Sequence, residues 1–284
     1  MRFPLDEQES EYWERPDLAS PMTSSSRAAL SSPENFLMRT AVIIPALNEA
    51  PCIGQTVFQW RKRRVGLVRV VDNDSSDETA ALAAKAGAEV VGESQRGYGA
   101  AAWTGTRRLP ADIVWLLFSS ADGSDRLDGD DAAAFQAAID RGAVLVLGER
   151  VSRPASRRRL TPMQRFGNAL GCALIALGWA HRFRDMASLC VIRRDVFEQL
   201  ELRDRAFGWN VEMQVRALER GLRIAEVPVT FFTRIAGESK ISGNLAGVVR
   251  AGWGILSMVA KLRCTRPAVP RSQFEPQSAA NRTY

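Results

Sequence analysis

The sequence predicts an α/β fold: a mostly parallel, Rossmann-like sheet with helices on both faces. Three observations predict it. Short runs rich in Val, Ile and Leu alternate with helical segments between residues 40 and 150. The runs are almost continuously apolar, as strands covered on both faces must be. Polar or charged residues follow directly on each run, where sheets of this kind bind ligands.

TAVIIPA, residues 40–46, is the first strand, and NEAPCIGQTVFQWRKR reads as the first helix. VGLVRVVD is the second strand. SDETAALAAKAG follows as a helix, with Asp77 and Glu78 suited to its positive N-terminal end. AEVVGE is a third strand, and GYGAAAWTGTRRL starts a third helix. Its glycines lack the spacing of a dinucleotide fingerprint, so its first N–H groups either face an anion or close a tight turn. DIVWLLF, the helix DGDDAAAFQAAID and the strand AVLVLGER complete the series. Residues 1–36, rich in Ser, Pro and Glu, read as a disordered tail; residues 37–264 form the domain, and 265–284 a flexible tail.

A net charge of +6 and a pI near 9.5 suit phosphate groups, an anionic membrane surface, or simply a solvated basic shell. The basic residues gather in RKRR (61–64) and RPASRRR (153–159) without interleaved aromatics, which argues against nucleic acid. Cys52, Cys172, Cys190 and Cys264 have no metal-ligand spacing, and with a single histidine, His181, a structural zinc site is not expected. No run reaches the roughly 18 apolar residues of a spanning helix. Carboxylates at the strand ends are the chemical signal. In DNDSSDET, Ser75, Ser76 and Asp77 suffice for capping, which leaves Asp72 and Asp74 over. Such paired carboxylates suit nucleoside hydroxyls or a hard divalent cation that also holds phosphates.

The ordered blocks IIPALNEAPCIGQTV, VVDNDSSDETA, RGYGAAAWTG, ADGSD, RFGNAL, FGWNVEMQVRA and EVPVTFFTRIAGESKISG resemble family 2 glycosyltransferases. The likeness is to the dolichyl- or polyprenyl-phosphate sugar synthases and covers about residues 39–259. It implies a GT-A fold, a nucleotide-sugar donor (a UDP- or GDP-hexose), and Mg or Mn on the donor diphosphate. Sugar would pass to a lipid phosphate with inversion. By the same resemblance Pro45, Ala46, Glu49, Asp72 and Asp74 surround the base and ribose, with Ser120 and Ala121 on the nucleotide side. Asp122 matches the second aspartate of an Asp-x-Asp metal motif, with Ser124 beyond it. Arg150, Arg165 and Lys240 match basic positions at the phosphates. Asp185, Trp209 and Glu212 fall on the acceptor side. GESKIS is expected to close over the donor.

Two departures stand out. Ser120 replaces the first aspartate of the metal motif, so Asp122 is expected to hold the ion with help from the diphosphate and Asp125. In RDMASLCVIRRDVF, Cys190 stands where the group has an arginine, so Arg193 or Arg194 takes over its charge, or the acceptor pocket differs. Three readings follow: transfer to polyprenyl phosphate, transfer to a glycan or another lipid, or sugar-nucleotide binding without turnover. Helices at 161–180 and 244–263 offer apolar faces with basic flanks, which predicts a peripheral protein on the cytoplasmic leaflet of the cell membrane.

Overall fold

The computed structural model describes residues 33–128, 130–237 and 245–264. The first helix, α1 (Pro33–Met38), precedes the first strand. Its Phe36 is fully buried, edge-on to Trp115 at a centroid distance of 6.1 Å. The expected tail boundary at residue 36 therefore moves back: residues 33–36 belong to the domain. Residues 1–32 and 265–284 lie outside the described residues.

The expected strands and helices form in order: β1 (Thr40–Ala46), α2 (Ala50–Lys62), β2 (Leu67–Asp72), α3 (Thr79–Lys85), β3 (Glu89–Gly92), α4 (Tyr98–Gly105), β4 (Trp115–Phe118), α5 (Asp131–Asp140) and β5 (Leu145–Glu149). After them come α6 (Pro154–Arg159), α7 (Pro162–Trp179), β6 (Cys190–Arg193), α8 (Arg194–Leu200), α9 (Trp209–Glu219), β7 (Ile224–Pro228) and α10 (Leu245–Cys264). The seven strands make one sheet in the order β3-β2-β1-β4-β6-β5-β7. All pairs are parallel except those of β6, which runs antiparallel between β4 and β5. That strand spans four residues inside RDMASLCVIRRDVF, too short a run to stand out by pattern.

Alternate residues of each strand enter opposite cores, as the two-residue period requires. Ile43, Val71, Leu116 and Phe118 face one side, where α4, α7, α8, α9 and α10 pack. Val42, Ile44, Val70 and Leu117 face the other, covered by α1, α2, α3 and α5. From β1 the sheet grows outward to β2 and β3, then returns to β4 on the opposite side. This reversal sets the sheet's switch point at the carboxyl ends of β1 and β4, where sheets of this kind bind ligands.

The glycines of RGYG serve packing. Gly97 has φ 152, and a Cβ on Gly99 would sit 2.5 Å from the Asp204 carbonyl oxygen. Gly99 N donates to Ala206 O (3.1 Å) and Ala100 N to Arg205 O (3.0 Å), so these amides at the start of α4 are taken by backbone and not offered to an anion. Gly99→Ala is therefore expected to cost roughly 2 kcal/mol through overpacking against rigid backbone. Urea denaturation would read it, and an unchanged midpoint would refute it.

Helices α7 and α10 pack on each other and on α9. Outward, α7 presents Met163, Phe166, Leu170 and Leu177 (the last 83% exposed), and α10 presents Trp253 and Leu256. No described helix is long and apolar enough to cross a membrane.

Candidate active site

The loops after β1 and β2 are tied together. Asn48 N donates to Ser75 Oγ (2.9 Å), Glu49 N to Thr79 Oγ1 (2.7 Å), and Ser76 N to Asn48 Oδ1 (2.7 Å). Asn48 takes a left-handed conformation, φ 50, to make this turn. Pro45 is half-buried and Ala46 buried at the end of β1. Asp72, closing β2, accepts a long bond from Ser75 N (3.4 Å) through Oδ2, while its Oδ1 is buried without a partner among the described residues. An unmet buried acceptor at the end of β2, beside β1, leaves room for a donor from water or from a ligand. Asp77, one residue before the N-cap Glu78 of α3, accepts from Thr79 N at 3.0 Å. Asp74 is exposed, and its carboxylate is held by Arg96 at 2.9 Å.

At the end of β4, Ser120 donates to Asp125 Oδ2 through both its amide (3.1 Å) and its hydroxyl (2.6 Å). Ser188 Oγ donates to the same oxygen at 2.6 Å. Ser120, just past β4, and Ser188, just before β6, thus both serve one buried aspartate. An aspartate at 120 would set a second negative charge against it. Burial pushes the Asp125 carboxyl above the usual carboxylate range, and the two serine hydroxyls only partly oppose this. With its native pKa above the unfolded value, Asp125 costs nothing below the ordinary carboxylate range. The native state then loses stability as pH rises from about 4 through the raised value. Asp125→Asn keeps an acceptor for the serines and is expected to flatten that decline. Urea midpoints across the range would show it, and parallel wild-type and variant curves would contradict it.

Ala121 is buried, and its carbonyl accepts from Thr56 Oγ1 at 2.9 Å. Asp122 Oδ1 accepts from Ser124 N (3.0 Å) and Ser124 Oγ (2.6 Å), so Ser124 orients the carboxylate. Asp122 Oδ2 faces Arg234 Nη1 at 3.4 Å, and Arg234 also bonds Glu49 Oε2. Arg234 rides on a segment laid beside the loop: Phe232 N donates to Ser124 O (3.1 Å) and Ile235 N to Asp122 O (3.0 Å). It bridges the loops after β1 and β4. The sequence reading missed it, though it stands in the quoted block EVPVTFFTRIAGESKISG. The signal available was a single cation in an apolar run following a strand.

Arg150, at the end of β5, is pinned to the fully buried Asp185. Its backbone N–H (2.8 Å) and Nε (2.7 Å) donate to Oδ2, and Nη2 (2.8 Å) to Oδ1. Burial opposes the guanidinium charge, and the carboxylate more than offsets that, holding its pKa above the ordinary value. Glu226 Oε1 accepts from Arg184 N (2.7 Å) and fixes the segment that carries Asp185. Arg165 is exposed on α7, one turn before Asn168, whose side chain binds Arg184 O (3.2 Å) and Met186 N (2.6 Å). Lys240 and most of GESKIS lie outside the described residues.

Three expectations are corrected. Trp209 is fully buried between Phe118 (6.0 Å) and Phe197 (5.7 Å), so it builds the core and lines no acceptor surface. Glu212, also buried, accepts from Arg203 N (2.9 Å) and Asp204 N (2.7 Å); its carboxylate anchors the segment that presses on α4. Neither Arg193 nor Arg194 replaces the family's arginine, for they pair with Asp195 (2.6 Å) and Glu198 (3.1 Å) at the far end of β6. Cys190 is a core residue, its thiol pushed up to about 12 by burial.

No three metal-ligating side chains gather among the described residues. Among the described residues the loop after β4 offers Asp122, whose Oδ2 has only the long Arg234 contact. That fits a magnesium-type ion, which takes one or two carboxylates and completes its shell with substrate phosphates and water.

The profile of the family described as Glycosyl transferase family 2 matches residues 41–201. An uncharacterised glycosyltransferase of Mycobacterium tuberculosis is 34% identical, over 76% of this chain and 97% of that protein. The polyprenol monophosphomannose synthase of Mycolicibacterium smegmatis is 30% identical, over 79% of this chain and 90% of that protein. Among solved structures, the glucosyl-3-phosphoglycerate synthase of Mycobacterium tuberculosis in complex with Mn2+, UDP and glucosyl-3-phosphoglycerate superposes with a TM-score of 0.63. The identity is 19%, over 90% of this chain and 87% of that one, which shows a shared GT-A fold. With sheet order, profile and relatives in agreement, the chain belongs to glycosyl transferase family 2.

Proposed function

We propose that this protein transfers a hexose from UDP- or GDP-sugar to polyprenyl phosphate, with inversion, while docked on the cytoplasmic leaflet of the membrane. The observation that supports this most is the Glu49–Arg234–Asp122 bridge between the loops after β1 and β4, with an unpartnered buried Asp72 oxygen at the end of neighbouring β2. A hydroxyl of the donor ribose satisfies Asp72. Arg234 releases its carboxylates and turns its charge to the diphosphate. A divalent cation, Mg or Mn, held on Asp122 would neutralise charge on the departing diphosphate.

An oxygen of the lipid phosphate attacks the anomeric carbon as the bond to the diphosphate oxygen breaks, and the electron pair leaves with the nucleoside diphosphate. The nucleophile is already an anion, so no catalytic histidine is needed. His181 accordingly sits exposed, with its ring on Phe183 at 4.6 Å. Arg150, held rigid by Asp185, supplies fixed positive charge to the phosphates. The exposed apolar residues of α7 and α10 would rest in the bilayer interface. The relative named polyprenol monophosphomannose synthase supports the acceptor class.

A second reading keeps the donor and changes the acceptor, because the charge lost at Cys190 has no substitute in Arg193 or Arg194. Purified protein incubated with labelled UDP- or GDP-hexose, polyprenyl phosphate and Mn decides between them. A butanol-extractable, mild-acid-labile product is expected. An acid-stable product would favour the second reading, and no labelled product with any donor would refute both.

A further inference from the structure

The two basic clusters of the sequence, at 61–64 and 153–159, contribute to one surface strip. Phe231 and Phe232 point in different directions from the segment after β7. The Phe231 ring lies 5.3 Å from the Arg150 guanidinium. The Phe232 ring is covered by Arg126 at 3.8 Å and by Arg159 at 5.4 Å, so two like charges share one ring. Arg126 Nε is buried without a partner among the described residues. Beside Arg126, the last turn of α2 brings Lys62 and Arg63 to a cleft of about 380 Å³ that Trp60 and Asp128 also line. Asp128 is the single carboxylate there, and it pairs with Arg63. Among the described residues no carboxylate neutralises Lys62, Arg126 or Arg159.

The strip borders an apolar face. Helix α6 ends at Arg159, and after Leu160 the capping box of Thr161 and Gln164 starts α7, which exposes Met163 and Phe166 in its first turns. Planar guanidiniums match phosphodiester oxygens, and a cationic rim beside exposed apolar side chains complements an anionic bilayer. We propose that the strip Lys62–Arg63–Arg126–Arg159 binds anionic phospholipid headgroups and sets the angle at which the domain meets the membrane. This deepens the membrane-docked reading of function and rests on it.

The test is sedimentation with phosphatidylglycerol vesicles and with phosphatidylcholine vesicles, comparing wild type with the exposed pair Lys62→Gln and Arg159→Gln. At about fivefold per side chain, the double variant should bind phosphatidylglycerol roughly thirtyfold more weakly, while its nucleotide-sugar binding in solution stays unchanged. Equal binding by variant and wild type would overturn the proposal. So would wild-type binding to phosphatidylcholine as strong as to phosphatidylglycerol, or displacement from vesicles by millimolar glycerophosphate, which would make the ligand a free phosphate. A thirtyfold loss in a protein that transfers no sugar to polyprenyl phosphate would leave the headgroup site standing and remove the proposed function instead.

Discussion

Replacing Asp122 with alanine is expected to lower glycosyl transfer by about a thousandfold, the scale set by losing one preorganised charge-stabilising group. The fold should survive, because the side chain is partly exposed and its described bonds are to Ser124 and Arg234. Stability should fall by only about 1 kcal/mol. The loss should fall on turnover rather than on donor affinity, since the carboxylate acts where charge develops on the departing diphosphate. Initial rates with labelled donor at saturating Mn, beside a urea midpoint, measure both. An unchanged rate would remove the carboxylate from the chemistry. Asp122→Asn sharpens the point: it keeps the acceptor for Ser124 yet drops the charge, so it should be nearly as inactive. Combined with Arg234→Gln, the loss should be less than the product of the two single losses, because both act on one diphosphate.

Much of this site was legible in the sequence for a physical reason. Parallel strands covered on both faces must be apolar throughout, so polar residues mark where each strand stops. Asp72, Asp122 and Arg150 all stand at such points. What stayed hidden depended on long-range contacts. Arg234 approaches Asp122 from a segment 112 residues away, and no local pattern announces that pairing. Ser188 lies in a run read only for its missing arginine, yet its hydroxyl reaches Asp125. Trp209 and Glu212 misled because a polar or aromatic residue at a helix start reads alike whether it faces a ligand or a neighbouring loop. Four-residue β6 could not be told from a loop, so its antiparallel pairing was invisible.

Arg150→Met tests the other half of the site and should lower stability strongly. The Arg150–Asp185 pair is bidentate, with Asp185 fully buried and Arg150 nearly so. Removing the guanidinium strands a charged carboxylate in the interior, at a cost of roughly 3–5 kcal/mol. Asp125 also loses a nearby positive charge, which pushes its carboxyl further toward the protonated form. A structural and a catalytic role then have to be separated. A buried pair replaced on both sides by apolar residues is often neutral or stabilising. Arg150→Met with Asp185→Leu should therefore recover part of the lost stability, the remainder being the Arg150 backbone N–H that loses its acceptor. Transfer should not recover with it, because the fixed cation at the phosphates is still missing. Thermal melts and transfer rates on the single and double variants decide the matter. A double variant that regained both would mean that Arg150 serves only to satisfy Asp185, and the phosphates would have to be met by Arg234 and other cations.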